Sequence, residues 1–349
     1  MKIKYCKSIV LCLFFCSTIN IAAFAQAEHH CGTTEATKRL YTVYPELIQA
    51  ETDYNNVLTQ QIQNKKQQKS VETVYIIPIV FHVIHQNGAE NISDAQIQDQ
   101  VNILNRDYRK LNADTSAIVA GFDTLAADIK IEFRLARIDP DGNCTNGIDR
   151  IYSHKTNNAD DDSKLNQWPR NKYLNVWTVK TIGSAGVAGY AYYPSAVDGF
   201  MYPYDGIIIL SQYIGSIGTG SAYTSRALTH EIGHWLNLEH TWGSTNSPEV
   251  GCGDDGVNDT PMTKGHLSCV LMDATCTPGV IENIQNYMEY SYCTNMFTLG
   301  QKDRMRAALE NSVSSRNHLS LGYNLAATGT DVTGQSTAAC IPKIGRAHV

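Results

Sequence analysis

The sequence is short of net charge, of basic clusters and of long apolar runs, and each shortage narrows the possibilities. Of its 349 residues 18% are charged, and the formal net charge is only -6. The one basic run, Lys65-Lys66 with Lys69, reads as a solvated or cleavable linker. Nothing here supports a nucleic-acid partner, which would need a basic face to meet phosphates. Beyond the N-terminus no stretch is apolar enough to cross a bilayer, which argues against stable membrane insertion. A hydrophobic fraction of 43% is that of an ordinary globular protein, with length for one large or two ordinary domains.

The N-terminus is built differently. Lys2, Lys4 and Lys7 precede the apolar run Ser8–Cys16, and Ala23-Phe24-Ala25 offers a small-residue cleavage site. That is the layout of a secretory signal peptide over 1–25, which predicts a secreted, extracellular protein. Removal of this leader takes Cys6, Cys12 and Cys16 with it. Cys31, Cys144, Cys252, Cys269, Cys276, Cys293 and Cys340 remain, an odd set in a disulfide-permissive compartment. Residues 26–72 are polar and helix-leaning, and read as a dispensable pro-segment or as a helical cap. Residues 324–349 have a linker composition. Their last six, Ile344 to Val349, match the translation of a sequencing adapter, so the gene is expected to be truncated before a further, surface-attaching domain.

Between these ends the pattern is that of a folded domain over 73–323. Val74–His85 is β-branched and nearly continuously apolar, as in a strand buried on both faces, with His82 and His85 as core or strand-end residues. Ser93 is placed to cap a helix whose stripe is Ile97, Val101, Leu104 and Tyr108. Ile129–Leu135 alternates as a half-exposed strand, and Leu174–Val179 and Gly206–Leu210 read as two more. Gly186–Pro194 reads as an exposed edge strand or a tyrosine-rich surface loop; an edge strand would let an extended peptide add by backbone hydrogen bonds. Ser221–Leu238 and Gln301–Glu310 read as helices.

The chemistry concentrates in His230-Glu231-Ile232-Gly233-His234-Trp235-Leu236-Asn237-Leu238-Glu239-His240. On a helix, His230 and His234 lie one turn apart on the same face, so both can point at one metal ion. Three neutral imidazoles with an open fourth position describe a catalytic zinc site. Glu231 can reach an attacking water without being a ligand, and would serve as general base and then acid. For His240 to return, the helix must end and reverse after Leu236. Asn237 stands where glycine is usual in this motif, and asparagine is the commonest substitute in the left-handed conformation.

This run, the loop Cys252-Gly253-Asp254-Asp255-Gly256-Val257-Asn258-Asp259-Thr260-Pro261 and Asn286-Tyr287-Met288-Glu289-Tyr290-Ser291 resemble, in that order, the pappalysin family of metzincin endopeptidases. The resemblance covers about Tyr75 to Leu321. It implies an α/β (α+β) fold: a metzincin-like catalytic domain with a twisted, mostly parallel sheet, a backing helix, an active-site helix and a C-terminal helix. It further implies Met288 as the Met-turn floor beneath the zinc and Tyr290 as the oxyanion donor, where the residues alone say only a core methionine and a buried tyrosine. Spacing leaves three pairings open for the four clustered cysteines; the resemblance implies Cys252 with Cys276 and Cys269 with Cys293. It also implies structural calcium near Asp254, Val257 and Asp259, an acidic loop that could equally be merely solvated. Cys31 in His29-His30-Cys31-Gly32-Thr33 resembles the propeptide cysteine that keeps such zymogens latent, although pairing with Cys144 or Cys340 stays open. Members that cleave beside basic residues carry Asp before the last of these cysteines; here Tyr292 stands there, and Glu289 is the acidic group left in the region. The expected protein is a monomeric, zinc-dependent endopeptidase acting on proteins or peptides, made as a zymogen. The alternative is a surface-binding or adhesion module with an inactive protease fold, against which the intact Glu231 argues.

Overall fold

The computed structural model describes residues 30–67, 72–243 and 247–331. The expected leader at 1–25, Cys340 and the tail at 344–349 lie outside the described residues.

Seven strands form one sheet: β1 (His30–Cys31), β2 (Tyr75–His85), β3 (Ile131–Leu135), β4 (Ile148–Tyr152), β5 (Leu174–Val179), β6 (Val187–Ala191) and β7 (Ile207–Leu210). Their order is β1-β6-β7-β5-β2-β3, with β4 also on β2. Every pairing is parallel except β6 with β7. The 11-residue β2 has β3 beside its first half, β4 beside its second and β5 on its other edge. That central place explains its unbroken apolar run, since strands covered on both faces have no solvent side to alternate with. His82 is wholly buried within it, bonded to Asp149 at 3.0 Å and Asn175 at 2.9 Å and stacked on Trp177. His85, at the end of the strand, accepts from Asn87 N through Nδ1.

Among the described residues the helices are α1 (Thr33–Val43), α2 (Glu46–Lys66), α3 (Asp94–Tyr108), α4 (Ala227–Trp235), α5 (Leu299–Glu310) and α6 (Gly322–Thr328). The Ser93 hydroxyl accepts from Gln96 N at the start of α3, whose stripe Ile97, Val101, Leu104 and Tyr108 is buried against the sheet. Each such side chain contributes about 1.5–3 kcal/mol when fully buried. No helix among the described residues is long and apolar enough to cross a membrane.

Three expectations need correction. The helix expected from Ser221 begins only at Ala227, because the Thr224 hydroxyl engages both the hydroxyl and the carbonyl of Ser221 and competes with a helical ladder. The strand expected to be exposed, β6, is buried: β7 pairs with one edge and β1 with the other, through His30 N to Gly186 O and Gly32 N to Gly189 O. Lastly, the stretch read as a linker from 324 holds its course to Thr330. Asn324, Thr328 and Thr330 are buried, and the carbonyls of Thr328 and Thr330 accept from Arg137 N and Arg134.

Candidate active site

Three elements meet at the site: α4, the turn that follows it, and the segment 286–291. Helix α4 ends at Trp235, with Leu236 as its cap and Asn237 at φ +71°. Asn237 thus takes the left-handed conformation, and Leu238 N reaches back to Gly233 O at 2.9 Å. This reversal brings His240 beside His230 and His234. His234 Nε2 lies 3.1 Å from His230 Nε2 and 3.2 Å from His240 Nε2.

The outer ring nitrogens decide which atoms carry protons. His230 Nδ1 meets Tyr287 O and His234 Nδ1 meets Leu238 O, both at 2.7 Å. A carbonyl only accepts, so these Nδ1 atoms hold the hydrogens. The two Nε2 atoms therefore face each other as bare lone pairs. Burial keeps the rings neutral, lowering His230 to about 4 and His234 and His240 well below the ordinary range. Lone pairs converging at that separation repel unless a cation lies among them. The donor set fits a metal ion, with imidazole suited to zinc.

Glu231 is buried beside the first histidine. Burial pushes its carboxyl up to about 8, against hydrogen bonds from Cys31 and Thr33 that lower it. Met288 lies under α4 and is fully buried; a Cβ at Gly233 would meet its sulfur at 2.4 Å, so this helix position has room only for glycine. The Tyr290 hydroxyl points into the site and donates to Cys31 O at 3.0 Å.

Cys31 comes to the site from the other end of the chain. Its sulfur, with one nitrogen from each of the three histidines, forms a four-atom group lying within 4.8 Å of one another. Its thiol donates to Glu231 Oε2 at 3.3 Å, and Thr33 N donates to its sulfur at 3.3 Å. It is the free cysteine of the described residues, while Cys144 is disulfide-bonded, so pairing of Cys31 with Cys144 is excluded. Burial first, then the Glu231 charge, push the Cys31 thiol well above its ordinary range. Only a cation among these four atoms would favour its thiolate.

Below the site the pairs Cys252–Cys276 and Cys269–Cys293 are both formed. In the acidic loop, Asp254 accepts from Gly256 N, Val257 O from the Thr260 hydroxyl, and Asp259 from Thr298 and Gly300 N. The neighbouring Asp255 is buried, raised to about 7 by burial, and its Oδ2 has no partner. Glu289, expected as the acidic group of the region, borders the cavity beside His230 and Tyr290. It is buried, with its oxygens held by the Thr241 and Thr263 hydroxyls and by His266 N. A second cluster, His266, Asp273 and Glu282, already contains a cation: Lys264 Nζ lies 3.1 Å from Asp273.

Sequence reasoning missed four participants. Thr33 donates to Glu231 Oε2 at 3.2 Å, and Thr34 meets His240 Nδ1 at 3.3 Å. Trp242 stacks on His240 with ring centroids 4.5 Å apart, and Gly233 admits Met288. Only proximity in sequence to Cys31 and His240 could have pointed to the first three.

Comparisons with known proteins agree with this geometry. The model of peptidase family M43, described as pregnancy-associated plasma protein-A, matches residues 157–310. Extracellular metalloprotease 1 of Coccidioides posadasii is 30% identical over 236 residues, covering 64% of this chain and 73% of that relative. An extracellular metalloprotease of Verticillium alfalfae is 29% identical over 250 residues, covering 69% and 79%. Among solved structures, a promirolysin mutant of Tannerella forsythia superposes with a TM-score of 0.70 at 32% identity, covering 86% of this chain and 98% of that one. Mature mirolysin of the same organism, in complex with a cleaved peptide, gives 0.66 at 35% identity, covering 74% and 99%.

Proposed function

The chain belongs to the pappalysin family of metalloendopeptidases, peptidase family M43, and from that premise we propose how its own residues carry out and restrain peptide hydrolysis. It is a secreted metalloendopeptidase acting on proteins or peptides and made as a zymogen. The reading that the metal is zinc, held by His230, His234 and His240, rests above all on the two imidazole lone pairs facing each other at 3.1 Å. Zinc held there supplies Lewis-acid polarisation of the scissile carbonyl and makes a water beside it more acidic.

The remaining steps belong to the chain. Glu231 takes the proton of the attacking water and returns it to the departing amine. Tyr290 donates its hydroxyl hydrogen to the oxyanion as charge develops there. Met288 fills the floor beneath the histidines. The carbonyls of Tyr287 and Leu238 hold the imidazoles in the required tautomer.

Residues 26–72 act as the pro-segment and 73–323 as the protease domain, with the chain packed on as far as Thr330. In the latent form Cys31, as thiolate, would hold the fourth metal position, and the Thr33 hydroxyl occupies Glu231 Oε2. The Tyr290 hydroxyl is engaged by Cys31 O, and β1 covers the β6 edge that an extended substrate would pair with. For the acidic loop we propose calcium around Asp254, Val257 and Asp259, supported by the partnerless, buried Asp255 Oδ2.

Processed enzyme should hydrolyse casein, lose activity to a zinc chelator and regain it with added zinc. Glu231→Ala should lower kcat by about 10²–10⁴ while zinc content is retained. Activity unchanged by that substitution would refute the mechanism. In the unprocessed chain, Cys31→Ser should expose activity; none gained would tell against the cysteine latch.

A further inference from the structure

The residue at which this chain departs from the usual motif, Asn237, makes a side-chain contact that glycine could not make. Its side-chain Nδ2 donates to Asn55 Oδ1 on α2 at 2.9 Å. Its carbonyl accepts from Arg304 Nε on α5 at 2.7 Å, and Arg304 Nη2 donates to the same Asn55 Oδ1 at 2.8 Å. Asn55, Arg304 and Asn237 thus close a ring of three hydrogen bonds over the turn between His234 and His240. Asn237 and Arg304 are both buried, so neither has ready access to water in place of these partners. The ring sits where α2 packs on α5, with Tyr54 and Leu58 against Ala307 and Ala308.

From this geometry we propose that Arg304 is a positioning residue for the metal-binding turn, and that Asn55 completes the hold only while the N-terminal segment is in place. The inference rests on the reading of 26–72 as a pro-segment. Asn237 has a left-handed backbone, which asparagine adopts more readily than most residues but at a cost that glycine does not bear. Arg304 fixes its carbonyl and Asn55 its side chain, so the direction in which the chain leaves for His240 is set twice in the zymogen and once after processing. The segment therefore acts on the site at two places: Cys31 at the metal and Asn55 at the turn behind it. Loss of the segment leaves Asn237 Nδ2 and Arg304 Nη2 without their shared acceptor and loosens the turn, while Arg304 Nε still holds the carbonyl.

The test loads the full chain and the processed enzyme with zinc and follows its transfer to a metallochromic chelator. In the full chain, Asn55→Leu removes the acceptor and should release zinc about tenfold faster, the effect expected for losing hydrogen bonds to a buried charged group. Asn55→Asp keeps the acceptor and should release zinc no faster than the wild type. After processing, the proteins made from these variants should behave alike, since residue 55 is gone. Arg304→Gln in the processed enzyme should speed release and lower kcat with KM unchanged, and Arg304→Lys should recover part of both. Equal release from the wild type and Asn55→Leu, or a matching loss in Asn55→Asp, overturns the Asn55 role. A KM change with unaltered zinc release in Arg304→Gln overturns the positioning role. Cys31→Ser, run alongside, reports on latency by itself, so failure of the pro-segment reading is seen separately.

Discussion

From Tyr75 to Trp235 the chain is strands and helices about an apolar core, whereas from Thr241 to Phe297 the described residues contain neither helix nor strand. The first region buries Ile77, Ile79, Phe81, Val83, Val176, Ile208 and Ile209 completely. The second is joined by the two disulfides, isolated bridges such as Gly253–Thr263, and carboxylates buried among hydroxyls and amides. The histidine set lies on the seam, with His230 and His234 on the last helix of the first region and His240 just past the turn. Apolar burial gives one side a rigid frame without any covalent aid. The other side has too little apolar surface for that and relies on links that fix a single loop path.

The comparison can be broken most directly at the bridges. Replacing both cysteines of Cys252–Cys276 by serine should cost about 2–5 kcal/mol and abolish activity, with far-UV circular dichroism largely kept. Collapse of the whole spectrum would mean that the two regions are not independently held. Next, Ile208→Ala in β7 should cost about 2–5 kcal/mol through a core cavity, read as a lower unfolding midpoint in denaturant. An equal loss from a surface substitution would remove the contrast.

At the seam, Tyr290→Phe should leave stability nearly unchanged and lower kcat of the processed enzyme by about 10²–10³. A change confined to KM would place Tyr290 in substrate binding instead.

The smallest effect concerns Glu289, whose carboxyl burial raises from 4.5 to about 8. A raised folded-state value means that its contribution is fully present below about 4.5 and is lost as pH climbs through about 8. Between pH 5 and 8 the wild type should therefore lose stability progressively, while Glu289→Gln, which has no proton to lose there, should not. Parallel stability curves for the two would show that the second region tolerates an ionised Glu289.

Legibility in sequence followed the same division. β2, β5, β7, α3 and α5 were readable because a buried strand or an amphipathic helix imposes a period on its own residues. The convergence of His230, His234 and His240 was readable because one helix and one tight turn place them within eleven positions. The surroundings of Glu289 and the covering of the β6 edge were not readable. Whether a carboxylate points to an ion or to a threonine, and whether an edge is covered, depends on residues far away in the chain.

His230, Glu231, His234 and the left-handed Asn237 were settled by the sequence itself, since local helix geometry and one conformational preference are enough to arrange them. Tertiary structure alone decided what surrounds them. Thr33 sits on Glu231 from 198 residues away, Tyr290 meets Cys31 across 259, and Arg304 and Asn55 close on the turn from opposite ends of the chain. Such contacts leave no periodicity in the sequence, because nothing in the local backbone requires them; they exist only once the sheet has brought distant segments together.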